Sequence, residues 1–178
     1  ISELHGKTLG IIGFGELGQA VANAARCFGM NVLLAHAHNP ADEAGQQQTR
    51  VDLKTLLSAS DVVSLHCPLS ESNHHLIAEE ELSLMKSDAI LINTARGGLV
   101  DETALLHALE SGQIGAAALD VLEQEPPPTA HPLIKYPLEN LIITPHIAWA
   151  SQQSRQRLVN QIAENIRAYQ RGSPRNIV

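Results

Sequence analysis

Cysteine is scarce: Cys27 and Cys67 are the only two in 178 residues. They stand in helix-like and strand-end contexts with no C-x-x-C or Cys/His ligand spacing around them, which excludes a disulfide framework and leaves buried free thiols as the expectation. Long apolar runs are missing too, since nothing approaches the ~20 residues a bilayer-spanning helix needs. No charged stretch leads into an apolar one as a secretion signal would. Positive charge is also short: 12 Lys and Arg against 19 Asp and Glu give a formal net charge of −7. The basic residues are scattered, so no face can neutralise a phosphate backbone, and neither nucleic acid nor a membrane is expected as a partner. A reducing cytoplasm is the expected setting, and there is no internal repeat beyond an alternation of strand-like and helix-like segments.

What the chain does have is apolar content, 44%, enough for one substantial core. Short apolar runs at 9–12, 32–35, 62–65, 90–92, 116–119 and 141–143 are of strand length and bounded by turn residues, as buried parallel strands are. Helical patterns fill the intervals at 16–27, 52–58, 79–85, 101–111 and 152–171. Alternation of this kind predicts an α/β fold with a doubly wound parallel sheet. Asp101 is placed to cap one helix and Gly112 to close it. The segment 124–132, with four prolines, reads as an ordered surface loop.

The first strand runs directly into Gly13-Phe14-Gly15-Glu16-Leu17-Gly18 and then a helix. Each glycine has its own reason: Gly13 for a tight turn, Gly15 for close approach of backbone to a pyrophosphate, Gly18 for helix-on-strand packing. The amides of Glu16 and Leu17 open the helix and face the phosphates, and the Glu16 carboxylate is expected to point to solvent. Downstream, three residues lie in distinctive contexts: Arg96 in Asn93-Thr94-Ala95-Arg96-Gly97-Gly98, Glu125 in Asp120-Val121-Leu122-Glu123-Gln124-Glu125-Pro126, and His146 in Thr144-Pro145-His146. A permanent planar cation, a carboxylate and an imidazole can together bind a keto acid and move a proton on it.

Taken together, these segments resemble the nucleotide-binding domain of the D-isomer-specific 2-hydroxyacid dehydrogenases, over residues 4–172. The run Thr144-Pro145-His146-Ile147-Ala148-Trp149-Ala150-Ser151 is most similar to the glycerate dehydrogenase (hydroxypyruvate reductase) branch. The resemblance implies a Rossmann domain over residues 1–172. It also implies that 173–178 begin a return to a substrate lobe built from both chain termini and absent from this sequence. It implies NAD(P)-dependent reduction of hydroxypyruvate or glyoxylate, with Arg96 on the substrate carboxylate, His146 as proton donor, and Glu125 orienting the imidazole and favouring its charged form. Pro68, Thr94, Ala95, Arg96, Asp120 and His146 would contact the cofactor, Asp120 on its nicotinamide side. Pairing as a homodimer through this domain is a further implication. The rival readings are a phosphoglycerate dehydrogenase-like enzyme and a non-catalytic, dinucleotide-sensing corepressor-like protein.

Cofactor choice turns on the residue about 20 positions past the glycine turn, where a carboxylate would receive the ribose hydroxyls of NAD. His36 stands there, so repulsion of a 2′-phosphate is removed and His36 or His38 could donate to it. NADP or dual use is therefore favoured over NAD alone, although no arginine follows nearby in the sequence. No metal site is expected: His5, His74, His75, His107 and His131 lack ligand spacing and a neighbouring acid, and read as surface positions. His66 is placed to touch the cofactor, and Trp149 to wall the substrate pocket, to pack at a subunit boundary or to join the core.

Overall fold

The computed structural model describes residues 2–36, 49–135 and 138–177, which form two compact units, Ile1–Thr144 and Pro145–Val178. In the first, six strands form one parallel sheet: β1 Thr8–Ile12, β2 Asn31–Leu34, β3 Val62–Leu65, β4 Ile90–Asn93, β5 Ala116–Leu119 and β6 Leu141–Ile143. Among the described residues of this unit the α-helices are α1 Glu16–Cys27, α2 Leu53–Ala59, α3 Glu79–Leu84, α4 Glu102–Glu110 and α5 Pro132–Lys135. The strand order is β2-β1-β3-β4-β5-β6, so the chain winds outward from β1 to β2 and then crosses to β3 on the other side of β1. A single-residue bridge between Ala35 and Val51 adds a vestigial strand outside β2, giving the nucleotide-binding order with its reversal between β1 and β3. This is the doubly wound Rossmann architecture that the alternating pattern predicts.

Alternation along β1 divides the core between the two faces of the sheet. Leu9 and Ile11 pack with Ala22 and Ala25 of α1, whereas Ile12 joins Leu56 and Leu57 of α2, Leu82 of α3 and Leu105 of α4. Gly10 faces α2 so closely that a Cβ there would stand 2.5 Å from Leu56 Cδ2. Truncating a fully buried residue such as Leu56 should cost about 2–5 kcal/mol.

Helix starts follow the sequence signals. Asp52 caps α2 by accepting from Thr55 N at 2.8 Å, and Asp101 caps α4 by accepting from Thr103 and Ala104. Two expectations need correction. Cys27 is exposed, because the buried face of α1 is set by Gly18, Ala22 and Ala25 and Cys27 falls off that stripe. The proline-rich loop ends in a turn of helix, α5, which begins on Pro132, a residue whose missing N–H costs nothing at a first helical position.

The second unit holds α6, Gln152–Gln170, capped by Ser151 accepting from Ser154 N and closed by Gly172 in the left-handed region. Trp149 lies in this unit and is exposed, so it is not a core residue. Among the described residues no helix is long and apolar enough to cross a membrane.

Candidate functional site

Parallel register brings the carboxyl ends of five strands into line. Ile12 pairs with Leu65, Leu65 with Asn93, Asn93 with Leu119 and Leu119 with Ile143, so the residues that follow each strand emerge along one edge. Ligands of open α/β sheets bind at such an edge, beside the reversal of strand order.

At the β1 end, Gly13 has φ +97° and lies against the segment after β3: a Cβ on it would come within 2.5 Å of the His66 carbonyl carbon. Gly18 is buried, and a Cβ there would collide with the Gly13 carbonyl oxygen. Gly15 differs from both. It is exposed, has nothing within 4 Å of its would-be Cβ, and caps α1 without any side-chain hydrogen bond. Helix geometry leaves the first-turn amides of Glu16, Leu17 and Gly18 without intrahelical partners, so the turn presents open space lined with N–H donors. Glu16 and Leu17 are exposed. Across the reversal, Pro68 O accepts from Asn73 Nδ2 at 2.8 Å. His66 Nε2 meets Ser64 Oγ at 2.9 Å, and burial holds the His66 imidazole below its ordinary pKa and the Cys67 thiol above its own.

The β4 end is shaped by Asn93, which is buried and bonds its own loop from both sides of its amide. Its Oδ1 accepts from Ala95 N at 3.0 Å and its Nδ2 donates to Arg96 O at 2.8 Å. That clamp fixes Thr94, Ala95 and Arg96 while leaving the Thr94 and Arg96 side chains exposed; Arg96 Nη1 donates to Ala95 O. Gly97 then packs directly on the Leu122–Glu123 backbone, where any Cβ would collide. One strand over, Asp120 is buried, donates its amide to Asn93 O and accepts from the Thr144 hydroxyl. Glu125, exposed, turns back so that its Oε1 accepts from Leu122 N at 2.9 Å. Thus Gly13, Gly15, Gly18, Pro68, Thr94, Ala95, Arg96 and Asp120 line one edge of the first unit. His146 belongs to the second unit, where it is exposed, has φ 54° and accepts from Trp149 Nε1 through its carbonyl.

At the end of β2, His36 is exposed and its amide donates to Val51 O. His38 lies outside the described residues. Arg50, which sequence proximity hides, is carried back here by the Ala35–Val51 bridge: its Nη1 donates to Ala35 O at 2.7 Å and its guanidinium lies 5.8 Å from the Phe14 ring centroid. An arginine therefore does stand beside His36. Three histidines also depart from expectation, because acids distant in sequence reach them. His131 is buried and its Nε2 lies 2.8 Å from Glu102 Oε2, while His74 and His75 lie 2.9 and 3.5 Å from the Glu123 carboxylate. The hydrogen bond from His74 is the first cause of a Glu123 carboxyl pKa held below the usual range.

The sequence profile described as "D-isomer specific 2-hydroxyacid dehydrogenase, NAD binding domain" matches residues 1–148. The chain belongs to that family. Among its relatives, a glycerate dehydrogenase from Methylorubrum extorquens is 48% identical over the whole chain, which covers 54% of that protein. A glyoxylate reductase from Korarchaeum cryptofilum is 47% identical over 99% of the chain and 53% of its own length. A solved acyclic imino acid reductase in complex with NADPH and D-Arg superimposes with a TM-score of 0.86 at 37% identity, covering 99% of this chain and 55% of that one. The chain thus spans about half the length of the curated relatives it matches.

Proposed function

We propose that the chain is the dinucleotide-binding half of an NAD(P)-dependent dehydrogenase that interconverts hydroxypyruvate or glyoxylate with the corresponding D-2-hydroxy acid. One observation carries the reading: the open, amide-lined turn at Gly15 and the clamped Arg96 loop share one sheet edge, so a dinucleotide laid along it would end beside a guanidinium. The names of the relatives, glycerate dehydrogenase and glyoxylate reductase, support the substrate class.

The residues present fit a nicotinamide dinucleotide. A Cβ at position 15 would meet nothing within 4 Å, and the α1 amides that follow it suit the pyrophosphate. Pro68, Thr94, Ala95 and Asp120 would hold the nicotinamide end, and when bound in reduced form the cofactor supplies the hydride that C2 of the keto acid receives. Arg96 offers two parallel N–H donors to the substrate carboxylate and a permanent charge to the adjacent carbonyl oxygen. His146 gives the proton that the oxygen takes up as C2 is reduced, and takes it back in the oxidation direction. Glu125 is assigned to orient that imidazole.

Arg50 supports the finer cofactor assignment, NADP or dual use. With no carboxylate at the β2 end, His36 and Arg50 present donors where a 2′-phosphate would lie. We also place the protein in the cytoplasm as a homodimer. Two free thiols and the exposed Leu158, Ile162 and Ile166 on α6 support those readings.

The test combines binding with turnover. NADH and NADPH are titrated against the protein and its Arg50→Ala, Arg96→Ala and His146→Gln variants, and hydroxypyruvate and glyoxylate reduction is followed. Arg50→Ala is expected to weaken NADPH about tenfold and NADH little. His146→Gln should keep cofactor binding while turnover drops on the order of a hundredfold or more. Tight cofactor binding with no keto-acid reduction by the enzyme together with its substrate lobe would instead indicate a sensor.

A further inference from the structure

A second constellation adjoins the segment that follows Arg96, where Gly97 packs on the Glu123 backbone and Gly98 on the His74 ring. His74, His75 and Glu123 each bring one ligating atom to within 4.8 Å of the others. His74 Nε2 is 2.9 Å from Glu123 Oε1, and His75 Nε2 is 3.5 Å from Glu123 Oε2. The two imidazoles stack, ring centroids 3.9 Å apart, and each presents its Nε2 to the Glu123 carboxylate. Backbone geometry enforces this arrangement: His75 has φ 53°, uncommon for a residue with a side chain, and is held there by its amide donating to Gly98 O at 2.8 Å. Glu123 is fixed from the other side, its amide donating to Glu102 Oε1 at 2.8 Å.

His75 supplies the decisive detail. Its Nε2 is shielded from solvent, and the Glu123 carboxylate that faces it at 3.5 Å stands beyond good hydrogen-bonding distance. Its other nitrogen, Nδ1, faces Asp101 Oδ2 at 3.8 Å. A carboxylate behind one ring nitrogen, with the opposite nitrogen aimed at a common point, is how ligating histidines are oriented. Two imidazoles and one carboxylate form the nitrogen-rich donor set of zinc-like dications rather than the all-oxygen set of magnesium or calcium. Bonds of about 2.0–2.1 Å at tetrahedral angles put ligand atoms roughly 3.4 Å apart. The observed 2.9 and 3.5 Å bracket this value, and the three ligating atoms lie within 4.8 Å of one another.

We propose that His74 Nε2, His75 Nε2 and the Glu123 carboxylate form a binding site for a single zinc-class divalent ion, with Asp101 as the positioning carboxylate behind His75. The side chains of His74 and Glu123 are 47% and 44% exposed, so an ion can enter and water can complete its coordination. The bound ion ties the segment after the Ser70–Asn73 turn to the loop between Asp120 and Glu125. The site does not depend on the assignment of substrate.

Chelator-treated protein is titrated with Zn2+ by calorimetry and with Co2+ by its visible absorption. One saturating equivalent is expected, with a raised unfolding midpoint. His74→Ala and Glu123→Gln, both at exposed positions, should each weaken binding about tenfold or more, while His107→Ala, at an exposed histidine on α4, should not. Asp101→Asn keeps the α4 cap, because asparagine caps as well as aspartate, and is expected to lose about 10–100-fold in affinity through the orientation of His75 alone. In the unmodified chain, Zn2+ should shield His74 and His75 from acylation by diethyl pyrocarbonate. Absence of saturable binding, unchanged binding in the His74→Ala/Glu123→Gln double variant, or equal acylation with and without Zn2+ would overturn the site.

Discussion

At the scale of single residues, the three glycines of the turn separate folding from binding. Gly18 has no room, since an added Cβ would overlap the Gly13 carbonyl, so Gly18→Ala must push α1 off β1. A loss of about 1–3 kcal/mol in unfolding free energy is expected, as for other overpacked positions. Gly15 has open space and extended backbone at φ −73°, which any residue adopts. Gly15→Val should therefore leave the denaturation midpoint where it is and weaken NADH binding by at least about tenfold, because the new methyl groups occupy the approach to the amides. Equal destabilisation by both variants, read in urea titrations alongside NADH binding, would show that the turn is only a packing device. The same positional reasoning explains Cys27: a thiol in a helix is buried only if it falls on the apolar stripe, and two positions beyond Ala25 it does not.

At the scale of elements, Asp61 joins pieces of the fold that no strand pairing alone would fix. It precedes β3, and its Oδ2 accepts from Thr8 N at the start of β1 at 2.7 Å. Its Oδ1 meets Lys86 Nζ at 2.9 Å and Lys7 Nζ at 3.7 Å. The Thr8 amide first, then Lys86, hold its carboxyl pKa below the ordinary value. A depressed folded value means the contribution is full above the unfolded value of about 4 and is lost as pH falls through the folded one. His66 acts in the same direction from a higher start. Burial depresses it, so stability begins to fall once pH drops below its unfolded value of about 6.5. Asp61→Ala is expected to cost about 1.5–3 kcal/mol at neutral pH and to flatten the acid limb of the stability curve. Urea midpoints measured from neutral to acidic pH check both, and an unchanged acid limb in the variant would remove Asp61 from the account.

Elements were also what the sequence disclosed most readily. Strands of a parallel sheet are short, mostly apolar runs bounded by turn residues, so β1 to β6 announce themselves, and the cap Asp101 marks a helix start chemically. The glycine turn and the contexts of Arg96, Glu125 and His146 are contiguous patterns, legible for the same reason. Contacts between residues distant in sequence are not: Arg50 reaches Ala35 over an interval of 15 residues, and Glu123 meets His74 across 49. The bridge at Val51 is one residue long and leaves no periodicity to detect. Helix α5, four residues behind a proline run, is likewise too short for an amphipathic repeat.

At the scale of the whole molecule, binding and chemistry make different demands. The groups we assign to the dinucleotide, the α1 amides, the Asn93-clamped loop and Asp120, all lie in the unit Ile1–Thr144, whose core is formed by its own sheet and helices. Reduction of a keto acid asks for more. The substrate must be held within about 3–3.5 Å of the reacting ring and screened from water, since misplacement by 1 Å can cost about a hundredfold in rate. Arg96 and His146, which we assign to substrate binding and proton transfer, are both exposed, and the relatives are about twice as long as this chain, which covers 54% of the glycerate dehydrogenase. These 178 residues are accordingly expected to bind NAD(P)H with an affinity within about tenfold of a protein that also carries a substrate lobe. Their hydroxypyruvate reduction should fall short of it by a hundredfold or more, on the order expected for lost positioning. Parallel fluorescence titrations and steady-state assays measure the two quantities separately. Full turnover by the chain alone would mean that these 178 residues position the substrate without another lobe.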